Sequence, residues 1–428
     1  MTDVGLRPHG VSGRRAPASR LLLLWLAFVA VHFWLGFLAL YSPGNPFGDV
    51  SGTYKVWVER GLATGQWVGI DTAWVYPIVA LVPMVISHAF GSALYVSTWL
   101  SLVMVIDAAA FAVLIGIGGE RHRANAAWWW LAFLVLLGAI SLGRVDSVAI
   151  PIAMMGVLVL AASPRLASVL LTLAAWIKVW PAALVVAAVI AFPARRAIFW
   201  AAAITTLMII LAVSVLGGLP QVFSFITELT GRGIEIEAPM AIFWMFDSAR
   251  GASASSRVFY DVGIQAYEVV GPGIATVGAV VTVLLGLAVV TLLGYAALLV
   301  RRGVPAIRML PELSLALTTT FLIFNKVGSP QYATWLAVPL VLGLTVGATH
   351  GGRSFRVPAV LTLVIAALTQ LIYPFFFDDV VRGSVTMLLV LAVRNLLYLA
   401  LLGWAVVGLW ELRTSSSVPD GSRALEPD

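Results

Sequence analysis

Long uninterrupted apolar runs bound every other reading of this chain. They are about 18–25 residues long, and ~20 apolar residues in a helix cross a ~30 Å hydrocarbon core. Inside such a core each backbone N–H and C=O must be satisfied internally, so only helices or a closed barrel can span it. Barrel strands would appear as ~10-residue segments of alternating polarity, and no such series is visible. Composition points the same way. Of the 428 residues 61% are apolar, mean hydropathy is +0.99, and 11% are charged, against about 25% in a soluble domain. A soluble globular protein, a disordered chain and a solenoid are excluded. The chain has no cysteine, which removes disulfides, thiolate metal sites and cysteine nucleophiles. The formal charge of +6 comes from short clusters between apolar runs, as in membrane anchors, rather than from a basic stripe with interleaved aromatics suited to nucleic acid. The first apolar run is too long for a cleaved signal, and no small-residue cleavage site follows it.

The sequence therefore predicts an all-α fold, a polytopic transmembrane helical bundle of about 12 or 13 helices with large outer loops. Its parts are a cytoplasmic tail over 1–20, a membrane domain over 21–410 and a disordered cytoplasmic tail over 411–428, polar and rich in Ser and Pro. Arg7, Arg14, Arg15 and Arg20 precede the first run and place the N-terminus inside by the positive-inside rule. Arg121/Arg123, Arg165, Arg195/Arg196, Arg301/Arg302/Arg308, Arg353/Arg356 and Arg413 mark further inner turns. The outer segments are then 42–73, 217–271, the surroundings of Asn325–Gln331 and those of Tyr373–Gly383. Residues 74–119 fit two short helices, whereas the flanking charges require an odd number. Either one of the two is re-entrant or Arg121/Arg123 lie outside. Residues 127–192 consist of short apolar pieces broken at Gly143–Ser147 and Lys178–Pro181, as in broken helices that line a cavity.

Several polar groups at the outer tips can carry chemistry. The lysines Lys55, Lys178 and Lys326 all fall there, whereas the inner anchors are arginine. Asp49, in the first outer segment, has two readings. As a partly desolvated acid at the bilayer surface it would have a raised pKa and serve as a general base; as a helix N-cap it would precede an amphipathic stretch over 51–61. Lys178 either snorkels between Trp176 and Trp180 or binds a phosphate at the membrane surface. Arg144 and Lys326 pose the same choice, and three cations at separate outer tips suit an anionic lipid headgroup. Asn325, Ser329, Gln331 and Tyr332 offer hydrogen bonds to a hydroxyl-rich ligand, or form an ordinary Gly/Pro turn. Glu235 and Glu237 could cap a helix or help bind a metal, but two carboxylates are too few for a divalent ion unaided. His32, His88, His122 and His350 show no ligand spacing and His9 lies in the tail, so each reads as structural. No Walker A sequence, Gly-rich nucleotide fingerprint or Gly-x-Ser-x-Gly elbow is present.

Taken in order, these motifs resemble a GT-C superfamily membrane glycosyltransferase, most of all glycosyltransferase family 87. The resemblance covers about residues 40–340. It rests on Asp49 followed by aromatics, Tyr76-Pro77, the tip Gly143-Arg144-Val145-Asp146, Lys178 before Pro181, Arg232 to Glu237, and Ser329-Pro330-Gln331-Tyr332 with Trp335. The family's tip is usually Gly-Gln-x-Asn, and its Tyr-Pro-Pro and Gln-Ile-Glu-Ser are here Tyr76-Pro77-Ile78 and Glu235-Ile236-Glu237-Ala238; these departures bear on the acceptor and the sugar. The resemblance implies transfer of a sugar, often mannose, from a polyprenyl-phosphate donor to a lipid-linked or cell-envelope glycan acceptor. The setting would be the outer face of an actinobacterial cell membrane, with membrane lipids as the surroundings and no nucleic acid or cofactor; the lack of an Asp-x-Asp near Asp49 argues against an obligatory metal, while Glu235 and Glu237 keep that question open. Asp49 would be the general base and transfer would invert the anomeric centre, since one base with direct displacement inverts, whereas a glycosidase needs two carboxylates. Lys178, Lys326 and Arg144 would hold the donor phosphate, and Tyr76, Arg232, Glu237, Asn325, Gln331 and Tyr332 the substrates. Two other classes compete: a transporter or lipid flippase, and a non-catalytic partner in cell-wall assembly.

Overall fold

A computed structural model describes residues 18–116, 120–347 and 352–415. The structure is 76% helical. Among the described residues seven helices are long and apolar enough to cross a membrane: Ala18–Tyr41, Ser92–Ile115, Arg195–Val215, Ile274–Arg301, Ala306–Phe324, Arg356–Phe375 and Val385–Arg413. These helices are compatible with a multi-pass membrane protein. Helices Arg121–Leu137, Asp146–Val159, Pro164–Ile177 and Ala182–Ala191, with the segment Pro330–Val346, are shorter. The expected total of about 12 or 13 is approached only if each of these also crosses, and at ~1.5 Å of rise per residue none reaches 30 Å straight through. The break at Lys178–Pro181 falls between helices as the sequence predicts, and the one at Gly143–Ser147 runs into the first turn of helix Asp146–Val159.

Burial sorts the long helices into inner and outer ones. Ala306–Phe324 is 78% buried in its apolar window and packs against Val385–Ser415 and Ile274–Arg301, whereas Arg195–Val215 and Ile274–Arg301 are only 11% buried. Outward-facing Trp200, Ile204, Val283 and Leu287 are the apolar surface that lipid, not water, would cover. Residues 74–119 hold one long helix, Ser92–Ile115, preceded by a 3-10 turn Ile78–Ala80 and a six-residue helix Leu81–Ile86. At six residues the helix Leu81–Ile86 is too short to cross a bilayer.

The second outer segment departs from the all-α expectation. Strands β1 (Ile234–Glu235), β2 (Arg257–Asp261) and β3 (Ala266–Val270) form an antiparallel sheet in the order β1-β3-β2. Aromatic and β-branched residues at Val258, Phe259, Tyr260, Tyr267, Val269 and Val270 favour the pleated form. The turn is fastened by Asp261 Oδ1, which accepts from Gly263 N at 2.8 Å. Another departure concerns the C-terminal end: residues Glu411–Ser415 continue the helix Val385–Ser415, because Leu409, Leu412 and the Arg353–Glu411 pair at 3.6 Å extend its packing. The rest of the predicted tail, the N-terminal arginines 7, 14 and 15, His9 and His350 lie outside the described residues.

Candidate functional site

The segments around Asp49, Tyr76, Lys178, Glu235 and Asn325 converge on one cavity of ≈ 780 Å³, and the tip at Gly143–Asp146 is its keystone. Gly143 lies against the first loop so closely that a Cβ there would stand 2.7 Å from Pro46 O. This approach brings Arg144 to Asp49, Nε to Oδ2 at 3.0 Å, while its Nη1 donates to Pro46 O and Gly143 O, both at 2.9 Å. Asp49 is the first residue of a π-helical turn Asp49–Tyr54 that runs into helix Lys55–Thr64. It neither occupies the N-cap position nor stands alone as a dehydrated acid: its partner is a guanidinium, and its carboxylate is half-buried at the cavity wall.

Two residues beyond Arg144, Asp146 opens the next helix and faces the other way. Its Oδ1 accepts from Trp335 Nε1 at 2.6 Å, and its Oδ2, without a hydrogen bond among the described residues, faces Lys178 Nζ at 3.7 Å. Lys178 ends helix Pro164–Ile177 in an extended conformation. Its ammonium lies over two tyrosine faces, 4.9 Å from the Tyr76 centroid and 4.8 Å from that of Tyr332. Each such contact contributes about 0.5–2 kcal/mol, more as water is excluded. Tyr332 stacks on Trp335 at 4.3 Å, and Trp335 on Trp180 at 5.4 Å. The lysine therefore points into the cavity instead of snorkelling between Trp176 and Trp180.

The third wall joins the sheet to the 325–332 segment. Glu235 N donates to Lys326 O at 3.0 Å, and a Cβ on Gly328 would overlap the Ala238 backbone; only glycine allows this approach. Glu235 is paired with Arg232 at 3.1 Å and stands directly opposite Glu268 in the sheet. Burial, partly countered by Arg232, pushes its carboxyl up to about 7. Glu237 meets Arg394 of helix Val385–Ser415, Oε2 to Nη1 at 2.6 Å, and Arg394 Nη2 also donates to Glu237 O at 2.8 Å. The two glutamates thus answer to separate guanidinium groups and do not share one position for an ion. Burial draws the Lys326 ammonium below its usual range. Asn325 Oδ1 accepts from Val327 N at 3.1 Å, which shapes the turn.

Of the predicted site residues, Asp49, Tyr76, Arg144, Lys178, Arg232, Glu237, Asn325, Lys326, Gln331 and Tyr332 all line this one cavity. Two of them stand differently from their expected roles. The guanidinium of Arg144 is occupied by Asp49 and loop carbonyls rather than left for a phosphate, and Glu237 is held by Arg394 rather than left for a substrate. Lys55 instead pairs with Glu59 at 3.9 Å, and Asp71 fastens its own loop by accepting from Trp67 N at 2.7 Å.

Sequence reasoning passed over several contributors. Trp180 lines the cavity and carries a buried donor, Nε1, without an acceptor among the described residues, as does Nε of Arg232, a residue the sequence did single out. Tyr54, Trp57, Tyr267, Tyr373 and Phe377 add aromatic walls, and Arg394 anchors the sheet-bearing loop from below. Thr282 and Leu285 of Ile274–Arg301, with Phe321 and Phe324 of Ala306–Phe324, extend the lining onto two membrane-type helices. No protein-family model and no curated protein matches the chain.

Proposed function

We propose that the protein is a membrane glycosyltransferase of the GT-C kind, moving a sugar, mannose in the first instance, from a polyprenyl-phosphate donor to a lipid-linked or cell-envelope glycan acceptor on the outer face. The observation that carries this reading is the amphiphilic character of a single cavity. One end presents carboxylates, an ammonium over aromatic rings and orphaned donors; the other is walled by apolar residues of membrane-type helices. A soluble sugar would not need the apolar end, and a simple lipid would not need the polar one.

The proposed reaction uses the groups in place. Asp49 takes the proton of the acceptor hydroxyl as its oxygen forms a bond to the anomeric carbon. The bond from that carbon to the phosphate oxygen breaks, and polyprenyl phosphate departs with the electron pair. Lys178 and Lys326 stabilise the monoester left behind. Arg144 orients Asp49. Aromatic faces and the Trp180 and Arg232 donors hold the sugar. Attack opposite the leaving group inverts the anomeric centre. The test is transfer of label from a radiolabelled polyprenyl-phosphate sugar by washed membranes carrying the protein: label entering lipid or glycan supports the enzyme. Donor movement between leaflets with no glycosidic product would instead favour a flippase.

A further inference from the structure

A second cavity, of ≈ 530 Å³, lies between helices Pro164–Ile177 and Arg195–Val215 and shares no lining residue with the first. Its two walls are fixed relative to one another. Ser168 Oγ donates to Ile198 O at 2.6 Å, and Trp176 Nε1 to Thr206 Oγ1 at 3.2 Å. Arg196, Trp200 and Ile204 recur at every fourth position and so form one ridge of the groove; Arg165 and Val169 line the opposite side. Trp200 and Ile204 are 61% and 58% exposed, so they face whatever surrounds the helix. Arg165 and Arg196 are exposed, and none of the ion pairs among the described residues uses them.

Two guanidinium groups without a carboxylate thus stand at one end of an apolar channel. A soluble anion would leave the channel unused, and an uncharged helix from another chain would leave the arginines uncompensated. We propose that this groove binds an acidic phospholipid, its phosphate held by Arg165 and Arg196 and an acyl chain lying along Val169, Trp200 and Ile204. Guanidinium groups match phosphate in geometry as well as in charge. The inference rests on the chain lying in a bilayer and is independent of the transfer reaction.

Native mass spectrometry of the full-length protein, in micelles doped with equal amounts of phosphatidylglycerol and phosphatidylcholine, tests it. The wild type should retain phosphatidylglycerol preferentially. A charge-assisted hydrogen bond from each guanidinium contributes about tenfold or more in affinity, so Arg165→Gln with Arg196→Gln should weaken retention by ~100-fold. Arg195→Gln, next to the groove but outside its lining, should leave retention unchanged. Equal retention of both lipids by the wild type would overturn the proposal without recourse to any variant. So would an equal loss in Arg195→Gln, which would mark a diffuse basic surface, or a two-chain species that the double substitution dissociates, which would mark a protein interface.

Discussion

Removing Arg394 should cost more than removing any surface charge, because its pairing with Glu237 is buried on both sides: the side chains are 4% and 3% exposed. Breaking such a pair by deleting one partner costs ~3–5 kcal/mol, since the survivor is left charged and unpaired. Arg394→Met should therefore lower the unfolding free energy by that amount. Glu237→Gln should cost less, because the amide oxygen still accepts from Nη1 at the 2.6 Å position. The double variant Arg394→Met/Glu237→Leu removes both charges but orphans Glu237 O, the acceptor of Nη2; an unsatisfied buried carbonyl costs ~1–3 kcal/mol. The double variant should thus be more stable than Arg394→Met alone. Denaturant unfolding in detergent micelles, followed by tryptophan fluorescence, measures the cycle. An Arg394→Met variant within ~0.5 kcal/mol of wild type, the range of ordinary surface substitutions, would refute the clamp, and so would strictly additive losses.

Lys178→Met should raise the donor KM, lower kcat, or both, by ~10–100-fold, since a charge-assisted hydrogen bond contributes about 1.5–3 kcal/mol; unchanged donor kinetics would remove Lys178 from the phosphate. Glu235 titrates at about 7 in the fold against an ordinary 4.5, so the folded state binds its proton more tightly. Its contribution to stability is fully present below about 4.5 and is lost as pH rises towards 7. Glu235→Gln should flatten stability across that window, and an unaltered pH slope would contradict the shift. Orientation is tested with single cysteines, which have no native background. Ser51→Cys and Ser255→Cys, both at exposed positions, should label with an impermeant reagent from outside and Ser354→Cys should not; the reverse pattern would invert the topology.

The membrane-type helices were legible because a bilayer demands long apolar runs whatever the tertiary structure. The broken helices over 127–192 were legible because charged tips interrupt those runs. The sheet was not. Its strands Arg257–Asp261 and Ala266–Val270 are five residues each, half the length at which a membrane strand would announce itself, and their aromatic and aliphatic composition merges with that of the surrounding chain. Asp49, Lys178, Lys326 and Tyr332 stood out as polar groups at loop tips. Which groups pair with which was not legible, because pairing here runs over great sequence distance: Asp146 bonds Trp335 and Arg394 bonds Glu237, 189 and 157 residues apart. Arg394 did carry a local signal, an arginine inside a 31-residue apolar helix, a position expensive enough to imply a buried partner. The double-sided tip, with Arg144 turned to Asp49 and Asp146 turned to Lys178, follows from packing of Gly143 on Pro46 and Phe47, which no pattern in one segment reveals.

Asp49→Asn decides whether Asp49 accepts the proton of the acceptor hydroxyl. Asparagine keeps the size of the side chain and an oxygen for Arg144 Nε, now 3.0 Å away, but it cannot serve as a base. The measurement is transfer from a polyprenyl-phosphate sugar by the purified variant, with donor binding and thermal unfolding recorded alongside. A positioned general base contributes about 10²–10⁴-fold. Asp49→Asn should fold normally, retain donor binding and transfer sugar at least ~10²-fold more slowly; near-normal turnover would rule Asp49 out as the base.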